Sequence, residues 1–285
     1  MEELVVNWHI TEACNFKCTY CFAKWEDKPC KKELLHSEDN VRDLLDQIME
    51  LPSILNNYFD SIRLNLVGGE TFLYREAVLS IIQEAKKRGM RLSAITNGSK
   101  LDMELNQIIA DNFDIIGFSI DSLNEITNLQ IGRQQKSTAV DINKLLQDIV
   151  QIRQINPNIH LKVNTVVSKF NYLENMGDLI ALVKPNKWKV FQMLPLLEGS
   201  LPFAISAEQF QLFLSNHQKF NEIISAENNN EMTESYLMID PCGRFFQNQN
   251  NGKSYMYSSE ILKVGVETAF KEIEFDIKKF LHRYN

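Results

Sequence analysis

The chain has 285 residues, 44% of them hydrophobic and 24% charged, the balance of an ordinary globular protein with enough material for a full core. A net charge of −7 and a pI near 5.4 argue against a surface built to coat nucleic acid. No apolar run reaches bilayer-spanning length, no secretory leader is apparent, and five cysteines do not suggest a disulfide framework in so long a chain; reduced thiols fit a cytoplasmic location.

Residues 4–10 alternate loosely and are rich in β-formers, which predicts a first strand. A loop follows: Cys14-Asn15-Phe16-Lys17-Cys18-Thr19-Tyr20-Cys21. Ser37 is placed to cap a helix that runs through Val41, Leu44, Leu45, Ile48 and Met49. Residues 62–67 form a second strand stopped by Gly68-Gly69, and residues 75–88 a helix ending at Gly89. A third strand over 91–96, a helix over 102–112 and a fourth strand over 115–120, ending at Asp121, come next. Then follow a helix over 138–154, a strand over 159–167, a helix over 172–183 and a strand over 188–194. Ser206-x-x-Gln209 is a capping box for the next helix. Beyond 221 the pattern turns irregular, with a strand over 234–240 and helical residues over 264–283.

This strand–helix alternation predicts the α/β class, with a parallel sheet and helices outside it. Function in such folds sits at the carboxyl ends of strands, whether the sheet is open or closed. Cys14, Glu70, Asn97, Ser119, Asp121, Asn164 and Gln192 all fall there. The expected architecture is a partial (β/α)6 TIM-like barrel over residues 1–200. An irregular C-terminal extension over 201–285 packs on it.

Cys14, Cys18 and Cys21 have C-x3-C-x2-C spacing on one loop. Three thiolates on one [4Fe–4S] cube leave the fourth iron without a protein ligand, and an open metal position is where a cofactor or substrate binds. The bland alternative is a zinc site completed by Cys30 or His36, although zinc pairs are usually C-x2-C with a second pair downstream, and none follows. Gly68-Gly69-Glu70 ends a strand, where glycines permit close approach to backbone and a carboxylate can accept from an ammonium; a plain turn is its structural alternative. Lys162-Val163-Asn164 and Lys187-Trp188-Lys189 alternate, so each pair shares a face of the sheet. On an outer face these are solvated lysines. On an inner face, together with Arg63 and Arg133, they call for an anion such as a triphosphate.

The cysteine spacing, with an aromatic residue just before the last Cys, resembles the signature of radical S-adenosylmethionine (SAM) enzymes. From about Val6 to Phe280 the chain further resembles the viperin family, most of all its prokaryotic members. The likeness is carried by Gly68-Gly69-Glu70, Thr96-Asn97-Gly98-Ser99, Ile131-Gly132-Arg133, Lys162-x-Asn164, Lys187-Trp188-Lys189-Val190-Phe191-Gln192 and Ser235-Tyr236-Leu237. It implies a [4Fe–4S] cluster on Cys14, Cys18 and Cys21, with SAM near Tyr20, Gly68, Gly69, Glu70, Asn97 and Ser119. It implies a nucleotide pocket lined by Asn7, Arg63, Arg133, Lys162, Asn164, Lys187 and Lys189, with Tyr236 as a late hydrogen or proton donor. The implied reaction is dehydration of a ribonucleoside triphosphate, CTP before UTP or GTP. The product is a 3′-deoxy-3′,4′-didehydro nucleotide that terminates viral RNA synthesis, and an electron donor such as flavodoxin or ferredoxin is required. Animal members carry an N-terminal membrane anchor; here the cluster loop starts at residue 14, so membrane attachment is not expected. Glu12 stands where relatives have Arg, and the chain stops where they continue into a Trp-containing tail. Rival readings are another radical SAM enzyme, cyclising GTP or modifying peptides, and a zinc-stabilised binding protein; the first usually needs a C-terminal cysteine cluster, and only Cys242 lies beyond Cys30.

Overall fold

The computed structural model describes residues 2–21, 23, 32–195, 198–227, 236–248 and 255–284. The chain forms two compact units. One comprises Met1–Ala13, Ala23–Ala94 and Met232–Asn285, the other Cys14–Phe22 and Ile95–Glu231.

In the first unit the Glu2–His9 strand lies between two parallel neighbours, Phe59–Val67 and Leu237–Ile239. Arg91–Thr96 pairs parallel with Phe59–Val67, and Arg244–Asn248 and Tyr255–Glu260 add antiparallel strands beyond Leu237–Ile239. Side chains alternate between faces along each strand. Leu4, Val6, Trp8, Leu64, Leu66, Leu92 and Ala94 share one face and are at most 1% exposed. Burying each of the larger ones contributes about 1.5–3 kcal/mol. The opposite face carries Glu3, Asn7, Arg63, Asn65 and Ser93.

The Glu38–Met49 helix starts where the Ser37 hydroxyl accepts from the Asn40 N–H, and it buries Val41, Leu44, Leu45 and Ile48 at helical spacing. Arg75–Lys87 ends in the expected way. Gly89, at φ +72°, donates to the Lys86 carbonyl, and Met90 donates to that of Ala85. The helix expected over 264–283 is instead two short ones, Val266–Phe270 and Ile277–Tyr284, preceded by another at Ile261–Val264. Gly265, at φ +85° and ψ 150°, separates Ile261–Val264 from Val266–Phe270. Phe280 of the last helix is fully buried, edge-on to Phe59 at 5.4 Å between ring centroids. Of the strand expected over 234–240, residues up to 235 lie outside the described set. Cys242 is disulfide-bonded, contrary to the expectation of reduced thiols.

In the second unit Ile115–Ser119, His160–Val167, Lys187–Gln192 and Ile224–Glu227 run parallel in that order. Ile116, Phe118, Leu161, Val163, Trp188 and Val190 share a fully buried face. Trp188 meets Phe213 and His217 edge-on, and its indole N–H donates to Thr165 Oγ1 at 3.0 Å. Helices Met103–Asn112, Ile142–Ile155 and Ala207–Asn216 are capped by Asp102, Asp141 and Ser206, the last in a reciprocal box with Gln209.

The helix expected from 138 begins four residues later. A hairpin, Gln134–Gln135 with Thr138–Ala139, intervenes and turns through Lys136 and Ser137 at φ +48° and +67°. The helix expected from 172 begins at Gly177, because Asn171 folds back to accept from the Ser168 N–H and closes a turn. The Glu125–Ile131 helix and the Ile224–Glu227 strand were not anticipated. No helix among the described residues is long and apolar enough to cross a membrane.

Candidate active site

In the second unit, Cys14, Cys18 and Cys21 are half-buried and outside any disulfide, on one loop. The Lys17 N–H donates to the Gly132 carbonyl at 3.1 Å and the Thr19 N–H to that of Ile131 at 2.8 Å. Gly132 stands at φ +91°, and a Cβ there would lie 2.2 Å from the Lys17 oxygen, so only glycine lets the loop dock. Asn15 donates to Ser99 Oγ (2.7 Å) and Gln135 Oε1 (3.2 Å). Asn97 caps its own turn by accepting from the Ser99 N–H, and also reaches the loop, donating to Asn15 Oδ1 at 3.1 Å and facing Cys14 Sγ at 3.8 Å.

Tyr20 is buried. Its ring packs with Ile131 and Met193, and its hydroxyl donates to Asp121 Oδ2 at 2.6 Å. This places it as a shield and anchor of the loop rather than as an open stacking platform. Arg133 Nε donates to the same oxygen, and the Val166 N–H donates to Asp121 Oδ1 at 2.7 Å. Burial works against the Arg133 charge, but the Asp121 carboxylate outweighs it and holds the guanidinium ionised. Burial and then Asp121 push the Tyr20 phenol well up. Burial pushes the Cys18 thiol up to about 12, with Arg133 pulling the other way, so binding of a metal centre there displaces a proton. The donor set fits a cube, in which each iron takes its own thiolate. Among the described residues no three His, Cys, Asp or Glu side chains converge as a single metal ion requires. For the zinc alternative, Cys30 lies outside the described residues and His36 Nε2 sits 3.5 Å from Glu33.

The strand register brings the expected polar residues of this unit into rows. Lys162 lies beside Lys187, and Asn164 lies between Ser119 and Lys189. All five are half-buried on the face opposite Val163 and Trp188. Asn164 Oδ1 is buried without a hydrogen-bond donor. Lys189 Nζ lies 2.5 Å from Glu227, and both side chains are largely buried. Glu227 escaped the sequence reading because the strand that carries it did.

In the first unit, Gly68 stands at φ +137°, and a Cβ on Gly69 would lie 2.1 Å from the Ala13 oxygen. The N–H groups of Gly69 and Glu70 donate to the carbonyls of Thr11 (2.8 Å) and Ala13 (2.9 Å). What the glycines admit at close range is therefore the chain's own residues 11–13. Glu33 fixes that segment too, accepting from Thr11 Oγ1 at 2.8 Å and the Glu12 N–H at 2.7 Å. Glu70 is buried, with Oε1 accepting from the Phe72 N–H.

Asn7 and Arg63 belong to one hydrogen-bonded line. Arg63 donates to Glu3 (2.6 Å) and Ser93 (2.9 Å), Ser93 to Asn65 (2.7 Å), and Asn65 to Asn7 (2.7 Å). Asn7 donates in turn to the Leu237 carbonyl and Tyr284 Oη. Tyr236 Oη accepts from Arg283 Nη1 at 2.6 Å, and the Arg283 guanidinium lies 4.0 Å over its ring. Arg283 and Tyr284, on the last helix, thus meet three of the expected site residues, Asn7, Tyr236 and Arg63, the last with its guanidinium 5.9 Å from the Tyr284 ring centroid; no local pattern marked them.

A family model described as the radical SAM superfamily matches residues 8–151. An S-adenosylmethionine-dependent nucleotide dehydratase from Psychrobacter lutiphocae is 51% identical over 99% of this chain and 95% of that protein. One from Pseudoalteromonas ulvae is 36% identical over 100% and 94%, and one from Danio rerio 33% identical over 98% and 76%. Among solved structures, native anSMEcpe with bound AdoMet superposes with a TM-score of 0.68 at 15% identity, covering 99% of this chain and 82% of that one. That likeness gives the fold: the radical SAM α/β architecture, a partial (β/α)6 TIM-like barrel, as expected. The chain belongs to the radical SAM superfamily and, within it, to the viperin-like S-adenosylmethionine-dependent nucleotide dehydratases.

Proposed function

We propose that this chain dehydrates a ribonucleoside triphosphate, CTP before UTP or GTP, to the 3′-deoxy-3′,4′-didehydro nucleotide. That product ends viral RNA synthesis and so supports antiviral defence in the cytoplasm. The carrying observation is 51% identity along essentially the whole chain to a nucleotide dehydratase. The rows of Lys162, Lys187, Lys189 and Asn164 on one sheet face support it. Cys14, Cys18 and Cys21 would hold a [4Fe–4S] cluster, which with SAM and an electron from a flavodoxin or ferredoxin supplies the hydrogen-abstracting radical. Gly68, Gly69, Glu70, Asn97 and Ser119 would hold SAM.

The rest of the task belongs to side chains that bind and orient. Lys162, Lys187 and Lys189 meet the triphosphate, where charge-assisted contacts contribute roughly 1.5–3 kcal/mol each. Asn164, with its buried unpartnered oxygen, accepts from a ligand hydroxyl. Asn7 and Arg63, held in their line of hydrogen bonds, and Arg133, held by Asp121, fix the nucleotide so that C4′ is presented for loss of its hydrogen. The 3′ hydroxyl departs as water after protonation, and one further electron completes the double bond. Tyr236 would be the late hydrogen or proton donor, a role supported by the Arg283 hydrogen bond that holds its oxygen. Anaerobic incubation of reconstituted protein with SAM, dithionite and the four ribonucleoside triphosphates, read by mass spectrometry, tests this. A product about 18 mass units lighter, one water, is expected from CTP first. SAM cleavage with no dehydrated nucleotide would overturn the reading.

A further inference from the structure

We propose that Asp121 and Tyr20 are positioning residues for the cysteine loop, a buried latch that shapes the loop before any cluster binds and then keeps a negative charge beside it. This rests on the reading of Cys14, Cys18 and Cys21 as cluster ligands.

Asp121 follows the Ile115–Ser119 strand, and its side chain is fully buried. Its two oxygens receive three donors, Tyr20 Oη, Arg133 Nε and the Val166 N–H. Its backbone carbonyl accepts from Asn171 Nδ2 at 2.7 Å, so the residue is fixed from behind as well. A buried carboxylate is costly unless paired, and apolar side chains would fill the same volume at less cost. The polar arrangement therefore needs a use other than packing.

Tyr20 supplies it. It stands between Cys18 and Cys21, and its ring sits among Ile131 and Met193, where phenylalanine would fit equally well. Only the hydroxyl needs Asp121. With the backbone bonds of Lys17 and Thr19 to residues 131–132, the latch ties the loop at both of its turns. A loop ordered in advance spares the cluster the cost of ordering it. Once a cluster is held, the Asp121 charge, balanced by Arg133, is part of its electrostatic surroundings, which set the potential of such centres.

The experiment uses full-length Tyr20→Phe and Asp121→Asn beside wild type, reconstituted anaerobically with iron and sulfide. Tyr20→Phe should melt close to wild type, whereas Asp121→Asn, which leaves the buried Arg133 without its counter-charge, should melt lower; both should bind iron, then lose it to a chelator roughly 10-fold faster. Asp121→Asn should also move the cluster's midpoint potential positive, while Tyr20→Phe moves it less. Tyr20→Phe removes one oxygen atom and decides the matter should Asp121→Asn fail to fold. Wild-type rates and potentials in both variants overturn the latch while leaving the cluster assignment standing. A wild-type protein that takes up no iron overturns both.

Discussion

Lys189 reaches the sheet face proposed for phosphate with its charge already matched by Glu227. Removing one member of a buried pair strands the other, at a cost of about 3–5 kcal/mol. Lys189→Ala should therefore lower the unfolding free energy by about 3 kcal/mol in urea titrations. Lys189→Ala/Glu227→Gln should recover most of that loss, because no buried charge is left alone. Nucleotide affinity, measured by calorimetry, should fall in both variants; undiminished affinity in the double variant would remove Lys189 from the pocket. The lysine rows were legible beforehand, because alternation in a strand dictates which residues share a face. Their carboxylate partners were not. Glu3 lies 60 positions from Arg63, and Asp121 reaches Arg133 across a helix, so neither pairing leaves a periodic trace.

At the scale of elements, the glycines separate two kinds of constraint. Gly69 has room for nothing: a Cβ would sit 2.1 Å from a backbone oxygen. Gly89 has open space around it but requires φ +72°. Gly89→Ala should cost about 1–2 kcal/mol, the torsional penalty alone. Gly69→Ala should cost more, because a backbone segment must move, and thermal melts of the two variants will rank them. A smaller loss for Gly69→Ala would mean that residues 11–13 yield easily. The regular strands and capped helices were readable because their signals are local: Ser37 and Ser206 cap where expected. The start of Ile142–Ile155 was misplaced because hairpin and helix compete for residues 134–141, and two left-handed non-glycine residues favour the hairpin without announcing it. Val266–Phe270 and Ile277–Tyr284 merged in the sequence because residues 271–276 hold no glycine or proline to mark the break between them.

For the molecule as a whole, two buried histidines contribute to the response to acid. Burial lowers His9 to about 3, and His217 is likewise lowered, chiefly by burial. His217 Nε2 accepts from the Met176 N–H while Nδ1 faces the Phe213 carbonyl, an arrangement that requires the neutral ring. The unfolded chain takes up these protons near pH 6.5 while the folded chain refuses them. The His9 contribution is thus complete above about 6.5 and falls as pH drops toward about 3, by up to about 1.4 kcal/mol per pH unit, and His217 acts in the same direction. Urea unfolding between about pH 7 and 5 should show this slope, and His9→Gln should reduce it. A flat profile would mean that the rings are hydrated.

The placement of Leu237–Ile239 has a consequence for biosynthesis. Glu2–His9 leaves the ribosome well ahead of it, and one edge of that strand stays bare until a partner more than two hundred positions later is translated. Such distant pairing is slow to form. The nascent chain must carry an apolar, hydrogen-bond-hungry ribbon through most of its synthesis. This unit therefore completes itself only once Leu237–Ile239 has emerged, and until then the bare edge is open to pairing with a neighbouring polypeptide.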